Sequence, residues 1–414
     1  MKILFFSNIP IRTQTKEGYN GGGWISSLIE HLSENPENEV AVGYYGNTDS
    51  KYKENSLTTY QIKEISFLKD IIQRFLFLTP FAFTSEKKTW KYHEKRLLEV
   101  INDFKPDIIH IFGSECQFGL ISNQTDIPTV IHIQGILNPY YNAHLPPFFS
   151  WYDLHQNLIS LIKSHKERNR LFANCLRERE IFIRNKNFIG RTEWDKRITN
   201  ILNPEANYYY GGEILRSDFY KKWERTIPAK LTITSTISKP IYKGYDTILK
   251  TAYLLKKFYK KDFTWNVYGN IDAPIIEKTI GIKHEDVNVQ VVGVANTERL
   301  IQSITKSTVY VHPSYIDNSP NSVCEAQILG VPVIAANVGG LPSIINDGET
   351  GFLVPANDPY QMAYLIQHLQ KDENLNQHIG ENARLQALKR HDCETIIKQL
   401  VEVYDNILSS SKKR

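Results

Sequence analysis

The stretch of this chain that most constrains its fold runs from residue 309 to residue 354. It begins with Val309–His312, an apolar run of β-branched and aromatic residues that predicts a strand buried on both faces of a parallel sheet. A polar loop follows it. Ser319 at a favourable N-cap position and Pro320 in the first turn then predict a helix. The loop over residues 314–319 therefore connects a buried strand to a helix N-terminus.

This expected helix N-terminus is suited to an anion. Its first N–H groups lack intrahelical partners, and the helix dipole adds about 0.3–1 kcal/mol per nearby negative charge. Glu325 shares a helix face with Asn321 and Ser322, and Asp317 stands in the loop in front. Two carboxylates that flank a phosphate site can accept hydrogen bonds from hydroxyl groups on both sides of it. A nucleotide sugar has this shape, with a diphosphate between two hydroxyl-bearing groups. The open alternative is that Asp317 only caps the helix and Glu325 is a solvated helix residue.

The same stretch resembles the signature block of glycosyltransferase family 4, whose members are retaining enzymes with the GT-B fold. The resemblance rests on SYIDNSPNSVCEA at 314–326, GVPVIA at 330–335, the Gly-Gly pair at 339–340 and DGETGFLV at 347–354. The resemblance extends along nearly the whole chain and is weaker in the first half.

The resemblance implies roles for several residues of this block. In the family, two acids separated by seven residues embrace the donor, which places Asp317 at the transferred sugar and Glu325 at the ribose. The family usually has Glu at the first position, so the shorter Asp317 is a departure. Backbone amides in the first turn of the helix would hold the diphosphate, at Asn321, Ser322 and Val323.

Composition favours a protein with two ordinary globular domains. The chain has 414 residues, of which 41% are apolar, 12% aromatic and 23% charged. The net charge of +4 gives no sign of a nucleic-acid partner. Four scattered cysteines suggest neither a zinc knuckle nor a disulfide framework, and no apolar segment reaches the ~20 residues of a spanning helix. We therefore expect a cytoplasmic protein, either soluble or peripheral to the inner face of the cell membrane.

The first half of the chain predicts a donor-facing glycine loop. Lys2–Ser7 is expected to form a central strand, and Asn20-Gly21-Gly22-Gly23 opens an amphipathic helix. Because glycine lets the backbone approach a phosphate or sugar, we expect Gly22 and Gly23 to contact the donor, with a flexible loop as the alternative. A dinucleotide fingerprint is poorly matched, which argues against an NAD enzyme.

Two further strands, expected over residues 107–112 and 127–133, resemble those that meet the cleft in the family. After the second strand the family usually has a His that contacts the donor sugar, whereas this chain has Gln134. His110 and His132 lie within the strands and are expected to be core residues.

The second half predicts the diphosphate and base contacts. After a strand over residues 231–235, Lys243 and its following glycine match a Lys-Gly pair of the family whose cation neutralises the leaving diphosphate. The family's Arg position falls on Ser238, with Lys239 beside it. Gly269 and Val294 end or follow the next strands, where the family reads the base with backbone groups.

The expected architecture is α/β, of GT-B type, with two Rossmann-like domains facing a central cleft. Residues 1–217 with about 392–414 would form the acceptor-side domain and residues 218–391 the nucleotide-sugar-binding domain. A linker is expected over residues 216–229, and by resemblance a helix over 393–409 crosses back to the first domain.

The sequence therefore predicts a retaining, metal-independent hexosyl- or N-acetylhexosaminyltransferase that uses a UDP- or GDP-linked sugar. Its acceptor would be a glycan or lipid-linked glycan in cell-surface polysaccharide or glycoconjugate synthesis. No Asp-x-Asp motif offers metal ligands, and no cofactor is expected. Catalysis is assigned to Asp317, Lys243 and Glu325. A non-catalytic partner subunit remains open because Asp317, Gln134 and Ser238 all depart from the family, and a nucleotide-sugar epimerase is the other alternative.

A peripheral membrane surface is the last expectation. Basic residues over 87–96 and 163–197 are interleaved with apolar ones that could rest on anionic lipid: Phe148, Phe149, Trp151, Tyr152, Leu158 and Leu161. An apolar stretch over 67–83 precedes them. The alternative is that these apolar residues are ordinary core and the charges a solvated surface.

Overall fold

The computed structural model contains two parallel α/β units. It describes residues 1–8, 14–15, 18–19, 23–64, 82–154, 157–260, 262–272 and 274–411. The expectations for residues 20–22 and, for the most part, 67–83 lie outside these residues.

The first unit is built on an eight-stranded sheet with the order β10-β9-β8-β7-β1-β4-β6-β5. All neighbouring strands are parallel except the edge pair β5 and β6. Its strands are β1 Lys2–Ser7, β4 Glu39–Gly46, β5 Ser50–Glu54, β6 Leu57–Lys63, β7 Ile108–Phe112, β8 Thr129–His132, β9 Asn187–Gly190 and β10 Asn207–Tyr210. A separate two-stranded ribbon pairs β2 Gln14–Thr15 with β3 Gly18–Tyr19.

The second unit is a six-stranded, wholly parallel sheet with the order β13-β12-β11-β14-β15-β16. Its strands are β11 Leu231–Thr236, β12 Phe263–Tyr268, β13 Val289–Gly293, β14 Val309–His312, β15 Val333–Ala336 and β16 Phe352–Val354.

Helices cover both faces of the two sheets, as parallel strands require. In the first unit they are α1 Gly23–Glu34, α2 Ala82–Phe104, α3 Leu137–Asn142, α4 Leu158–Arg184 and α5 Glu193–Leu202. In the second they are α6 Tyr245–Lys257, α7 Pro274–Ile280, α8 Thr297–Thr305, α9 Asn321–Ile328, α10 Pro359–Lys371 and α11 Glu373–Arg390, with α12 Cys393–Ser411 at the end.

The sequence patterns located several of these elements to within a few residues. The bounds of β1 and β14 match the expectation. The exposed edge strand β5 was not predicted, because its sequence SKYKE has no apolar alternation. The 27-residue helix α4 was not predicted either, because the sequence analysis identified only a stretch of basic residues there.

The last helix, α12, packs on the first unit. Its buried Leu400 and Tyr404 belong to the same apolar core as Phe5 and Trp24. The Tyr404 hydroxyl lies 2.7 Å from Nδ1 of His110, and burial lowers the pKa of His110 to about 3. The chain therefore crosses back to its first unit, and His110 has the core role expected for it.

The last strand of the first sheet ends at residue 210 and the first strand of the second sheet begins at residue 231, so the domain boundary lies between them. The finer domain boundary at 217/218 stays a prediction, since the segment between the sheets contacts both units. No helix among the described ranges combines the length and apolar character needed to cross a bilayer.

Candidate active site

A cavity of about 650 Å³ lies between the two units, at the carboxyl ends of their parallel strands. Parallel α/β sheets usually bind ligands at this edge, because loops and helix N-termini converge there. Residues after β7, β8 and β9 line one wall. Residues after β11, β12 and β14 line the other.

The N-terminus of α9 opens into this cavity through Asn321 and Ser322. No acceptor among the described residues meets their backbone N–H groups. Pro320, not Ser319, is the N-cap, and no side chain caps the helix. The expected Ser319 cap is wrong because its hydroxyl donates instead to Glu213 of the first unit. The open N–H groups make this helix end suited to a phosphate.

Lys243 lines the cavity and forms an ion pair with Asp317, which sits behind it. His312 Nε2 lies 2.8 Å from the same Asp317 oxygen, and the Tyr140 hydroxyl donates to the other at 3.2 Å. Burial would raise the pKa of Asp317, but Lys243 and His312 outweigh it and hold that pKa well below its usual range. Asp317 is therefore a buried anion that holds the Lys243 ammonium at the cavity wall.

Glu325 also lines the cavity and pairs with Arg216. Its Oε1 accepts from Arg216 Nε at 2.9 Å and from Nη2 at 2.7 Å, while Arg216 Nη1 donates to Thr297 Oγ1 at 2.9 Å. Burial raises the pKa of Glu325 although Arg216 opposes the shift. The carboxylate is held at the cavity wall and is not a solvated helix residue.

The loop that carries Asp317 also contacts the first unit. Asn318 Nδ2 donates to the Gln134 carbonyl at 3.1 Å, and Arg191 Nη2 donates to the same oxygen at 2.8 Å. The Gly-Gly pair at 339–340 makes room for the loop, because a Cβ on Gly339 would lie 1.8 Å from the Asp317 carbonyl oxygen. The two walls of the cavity are thereby joined by buried polar contacts.

Most of the predicted site residues line this cavity. These are Gly23, Gln134, Ser238, Lys243, Gly269, Val294, Asn321, Ser322 and Glu325. Lys239 is exposed and does not line it, and Val323 is buried with its N–H bonded to the Pro320 carbonyl at 2.9 Å. Gly22 lies outside the described residues. The individual roles stay predictions.

Sequence reasoning missed several residues of the cavity. They are Trp24, Glu115, Tyr140, Arg191, Arg216, Tyr242 and His312. Glu115 and Arg191 follow the carboxyl ends of β7 and β9, so the strand-end rule could have found them. Arg216 does not follow a predicted strand. It lies in the segment 216–229, which has no apolar periodicity and is predicted to be a linker.

Within the described ranges, one cluster of potential metal ligands lies next to the site. Glu213, Cys324 and His391 place ligand atoms within 4.8 Å of one another. The two Glu213 oxygens already accept from Arg191 and Ser319. Because these donors already neutralise and partner the carboxylate, we assign no metal site.

Two parallel α/β domains that face one cleft, with a C-terminal helix returning to the first, define the GT-B fold. Comparison with known proteins agrees. Residues 229–386 match the family model described as Glycosyl transferases group 1.

Curated relatives match over part of the chain. CapM, the capsular polysaccharide biosynthesis glycosyltransferase of Staphylococcus aureus, is 33% identical over 125 residues, covering 30% of this chain and 33% of the relative. The phosphatidyl-myo-inositol mannosyltransferase of Mycobacterium leprae is 24% identical over 234 residues, covering 49% and 61%. The chain thus spans about a third of the length of the first of these relatives and under two thirds of the second.

Solved structures match over nearly the whole chain. Sucrose-phosphate synthase from Thermosynechococcus elongatus superposes with a TM-score of 0.72 at 17% identity, covering 99% of both chains. Anabaena HepE in complex with UDP-glucose gives a TM-score of 0.66 at 16% identity, covering 98% of this chain and 100% of that one. At these identities the likeness establishes the fold.

Proposed function

We propose that this protein is a retaining glycosyltransferase that transfers a sugar from a nucleotide sugar to a glycan or lipid-linked glycan. The observation that carries the proposal is the composition of one cavity. It combines the open N–H groups of α9, the Lys243 ammonium and the Glu325 carboxylate, which suit a diphosphate and an adjoining ribose. The match of residues 229–386 to the glycosyltransferase model supports the same activity.

Each group has a chemical task in this proposal. Glu325 accepts from the ribose hydroxyls, and the N–H groups of Asn321 and Ser322 donate to the diphosphate. Lys243 stabilises the negative charge that grows on the leaving diphosphate as the sugar departs. An oxygen of that diphosphate takes the proton of the attacking acceptor hydroxyl on the same face, so the anomeric configuration is retained. Catalysis is then mainly positioning and electrostatic stabilisation and needs no metal.

The substrate class follows from the relatives. CapM is named for capsular polysaccharide biosynthesis, and the Mycobacterium leprae relative is named as a phosphatidyl-myo-inositol mannosyltransferase. HepE binds UDP-glucose. We therefore propose a UDP- or GDP-linked hexose or N-acetylhexosamine as donor and a cell-surface glycan or its lipid-linked precursor as acceptor.

A donor screen tests this function. We expect one nucleotide among UDP, GDP and ADP, and its sugar, to raise the melting temperature, because a ligand at a hundred times its Kd stabilises by about 2.7 kcal/mol. The same nucleotide should be released when its sugar is incubated with the protein and a panel of glycan acceptors. Binding without release under any acceptor would indicate the non-catalytic subunit. Isomerised donor without acceptor would indicate the epimerase.

We also propose that the first unit rests on an anionic membrane. Phe148 and Tyr152 are 97% and 76% exposed, and the neighbouring helix α4 exposes Lys163 and Arg170. Phe149 packs instead against the core of the second unit. Exposed aromatic and basic side chains together suit an interface with anionic headgroups, to which each cation adds about 1 kcal/mol.

Co-sedimentation with vesicles tests the membrane proposal. We expect binding to phosphatidylglycerol vesicles at low salt, loss of binding at high salt as the charges are screened, and no binding to phosphatidylcholine. Phe148→Ser with Tyr152→Ser should weaken it. Phe258→Ser with Tyr360→Ser, which changes two aromatics of the second unit that are 71% and 73% exposed, is the matched control. Absence of binding at low salt would leave a cytosolic acceptor.

A further inference from the structure

Glu115 is an acidic residue of the cavity wall to which no role has been given. It lies in the loop after β7, and its Oε1 accepts from the Gly135 N–H at 3.0 Å. The Oε2 atom is shielded from solvent and has no partner among the described residues. A carboxylate oxygen in this state is able to accept a hydrogen bond from a bound group, because buried polar atoms in proteins are nearly always paired.

A second unpaired polar atom lies beside it. Nε2 of Gln134 is also shielded and has no partner in the described part of the chain. The position that a Cβ on Gly113 would occupy is 1.9 Å from Glu115 Oε2 and 3.5 Å from Gln134 Nε2. The wall thus holds an acceptor and a donor close enough for one small group to reach both. A sugar hydroxyl, which donates one hydrogen bond and accepts others, has this capacity.

The pair lies on the side of the cavity that carries Lys243. A Cβ on Gly135 would lie 3.3 Å from Glu115 Oε1 and 3.7 Å from the Tyr140 ring. Tyr140 in turn donates to Asp317, the partner of Lys243. If Lys243 marks the diphosphate, Glu115 lies on the same side of the cavity, where the sugar to be transferred and the acceptor would meet.

The protonation state of Glu115 is compatible with this use. Burial raises the pKa of Glu115 to about 7 and Glu178 adds to the shift, while its own backbone N–H, the Gly135 N–H and Arg191 oppose it. Near neutral pH part of the Glu115 population is therefore protonated. A neutral carboxyl group has a smaller desolvation free energy than an ionised one.

We propose that Glu115 and Gln134 together bind one hydroxyl of a sugar ring in the cleft, the hydroxyl donating to Glu115 Oε2 and accepting from Gln134 Nε2. The inference rests on the proposed function and deepens it, because it assigns Glu115 as a residue that determines sugar specificity. This contact should discriminate between an intact sugar and its deoxy analogue.

Titration calorimetry tests the pair without requiring turnover. The probes are the nucleotide sugar selected by the donor screen, the plain nucleotide, and the deoxy analogues of that sugar. For the wild type we expect one deoxy position to weaken binding roughly 10- to 100-fold. Glu115→Ala should weaken the intact sugar to a similar extent, leave the plain nucleotide unchanged and abolish the effect of that deoxy position. Glu99→Ala, at an exposed site on α2, is the control.

Kinetics assigns the hydroxyl to its sugar. A rise in the donor KM of Glu115→Ala during hydrolysis without acceptor places the hydroxyl on the transferred sugar. A rise confined to the acceptor KM, with calorimetry of the acceptor repeating the deoxy pattern, places it on the acceptor. Either result supports the pair. Glu115→Gln, which keeps the size of the side chain, provides the same measurement if the alanine variant does not fold.

Unchanged affinity and unchanged deoxy discrimination in folded Glu115→Ala and Glu115→Gln, for both donor and acceptor, would overturn the inference. A wild type that binds nucleotide sugar but never releases nucleotide would contradict the proposed function instead, and the calorimetric comparison would still decide the role of Glu115.

Discussion

Replacing Lys243 with alanine is expected to lower kcat by about 10²- to 10³-fold, the usual effect of removing one preorganised group that stabilises developing charge. The effect on donor affinity should be smaller, because the charge on the leaving diphosphate is greatest in the transition state. Steady-state kinetics at saturating donor measures the loss directly. A variant that binds donor more weakly but turns over normally at saturation would contradict this role.

The Lys243→Ala variant also leaves Asp317 buried without its cation. A buried charge that loses its partner costs about 3–5 kcal/mol of stability, so a loss of activity alone would be ambiguous. The matched control is Lys243→Met combined with Asp317→Asn, which removes both charges and keeps the packing. We expect urea unfolding to show that stability recovers in this double variant while kcat stays low. Recovery of kcat together with stability would show that Lys243 acts only through the fold.

Glu325→Ala is expected to weaken nucleotide binding about 10- to 100-fold, which corresponds to the 1.5–3 kcal/mol of hydrogen bonds to a charged acceptor. Calorimetry with the nucleotide and its 2′,3′-dideoxy analogue separates a ribose contact from a general change. The wild type should distinguish the two ligands, and the variant should bind both alike, because the interaction energy is lost when either partner is removed.

The control for Glu325 is Glu298→Ala. Glu298 is an exposed glutamate in the first turn of α8, next to the threonine that Arg216 contacts. It should leave both affinities unchanged. If Glu325→Ala binds nucleotide as tightly as the wild type, or keeps the full difference between the two ligands, the ribose contact does not exist.

The elements of the site could be predicted because their signals are local. The apolar run of β14 and the polar loop before α9 lie within about twenty residues of sequence, and burial in a parallel sheet follows from residue type alone. The same holds for the strands β11 to β13. The sequences of these segments do not indicate which distant residues they contact in the folded protein.

Arg216 and Ser319 show why the rest could not be predicted. Arg216 meets Glu325 across 109 positions of sequence, and no periodicity near Arg216 indicates that contact. Ser319 is of a residue type favoured at N-caps, yet its hydroxyl donates to a glutamate 106 positions away. A local preference of about 1 kcal/mol is overridden when a buried carboxylate needs a donor. Such contacts depend on how the two domains face each other.

The helix α12 determines when the first domain can finish folding. The core around Phe5 and Trp24 is closed by Leu400 and Tyr404. A ribosome adding 5–20 residues per second reaches α12 roughly 10 to 40 s after it completes β10. The whole second domain is made, and can fold, within that interval. The nascent first domain meanwhile carries an uncovered apolar face, which gives chaperones a surface to bind until α12 emerges.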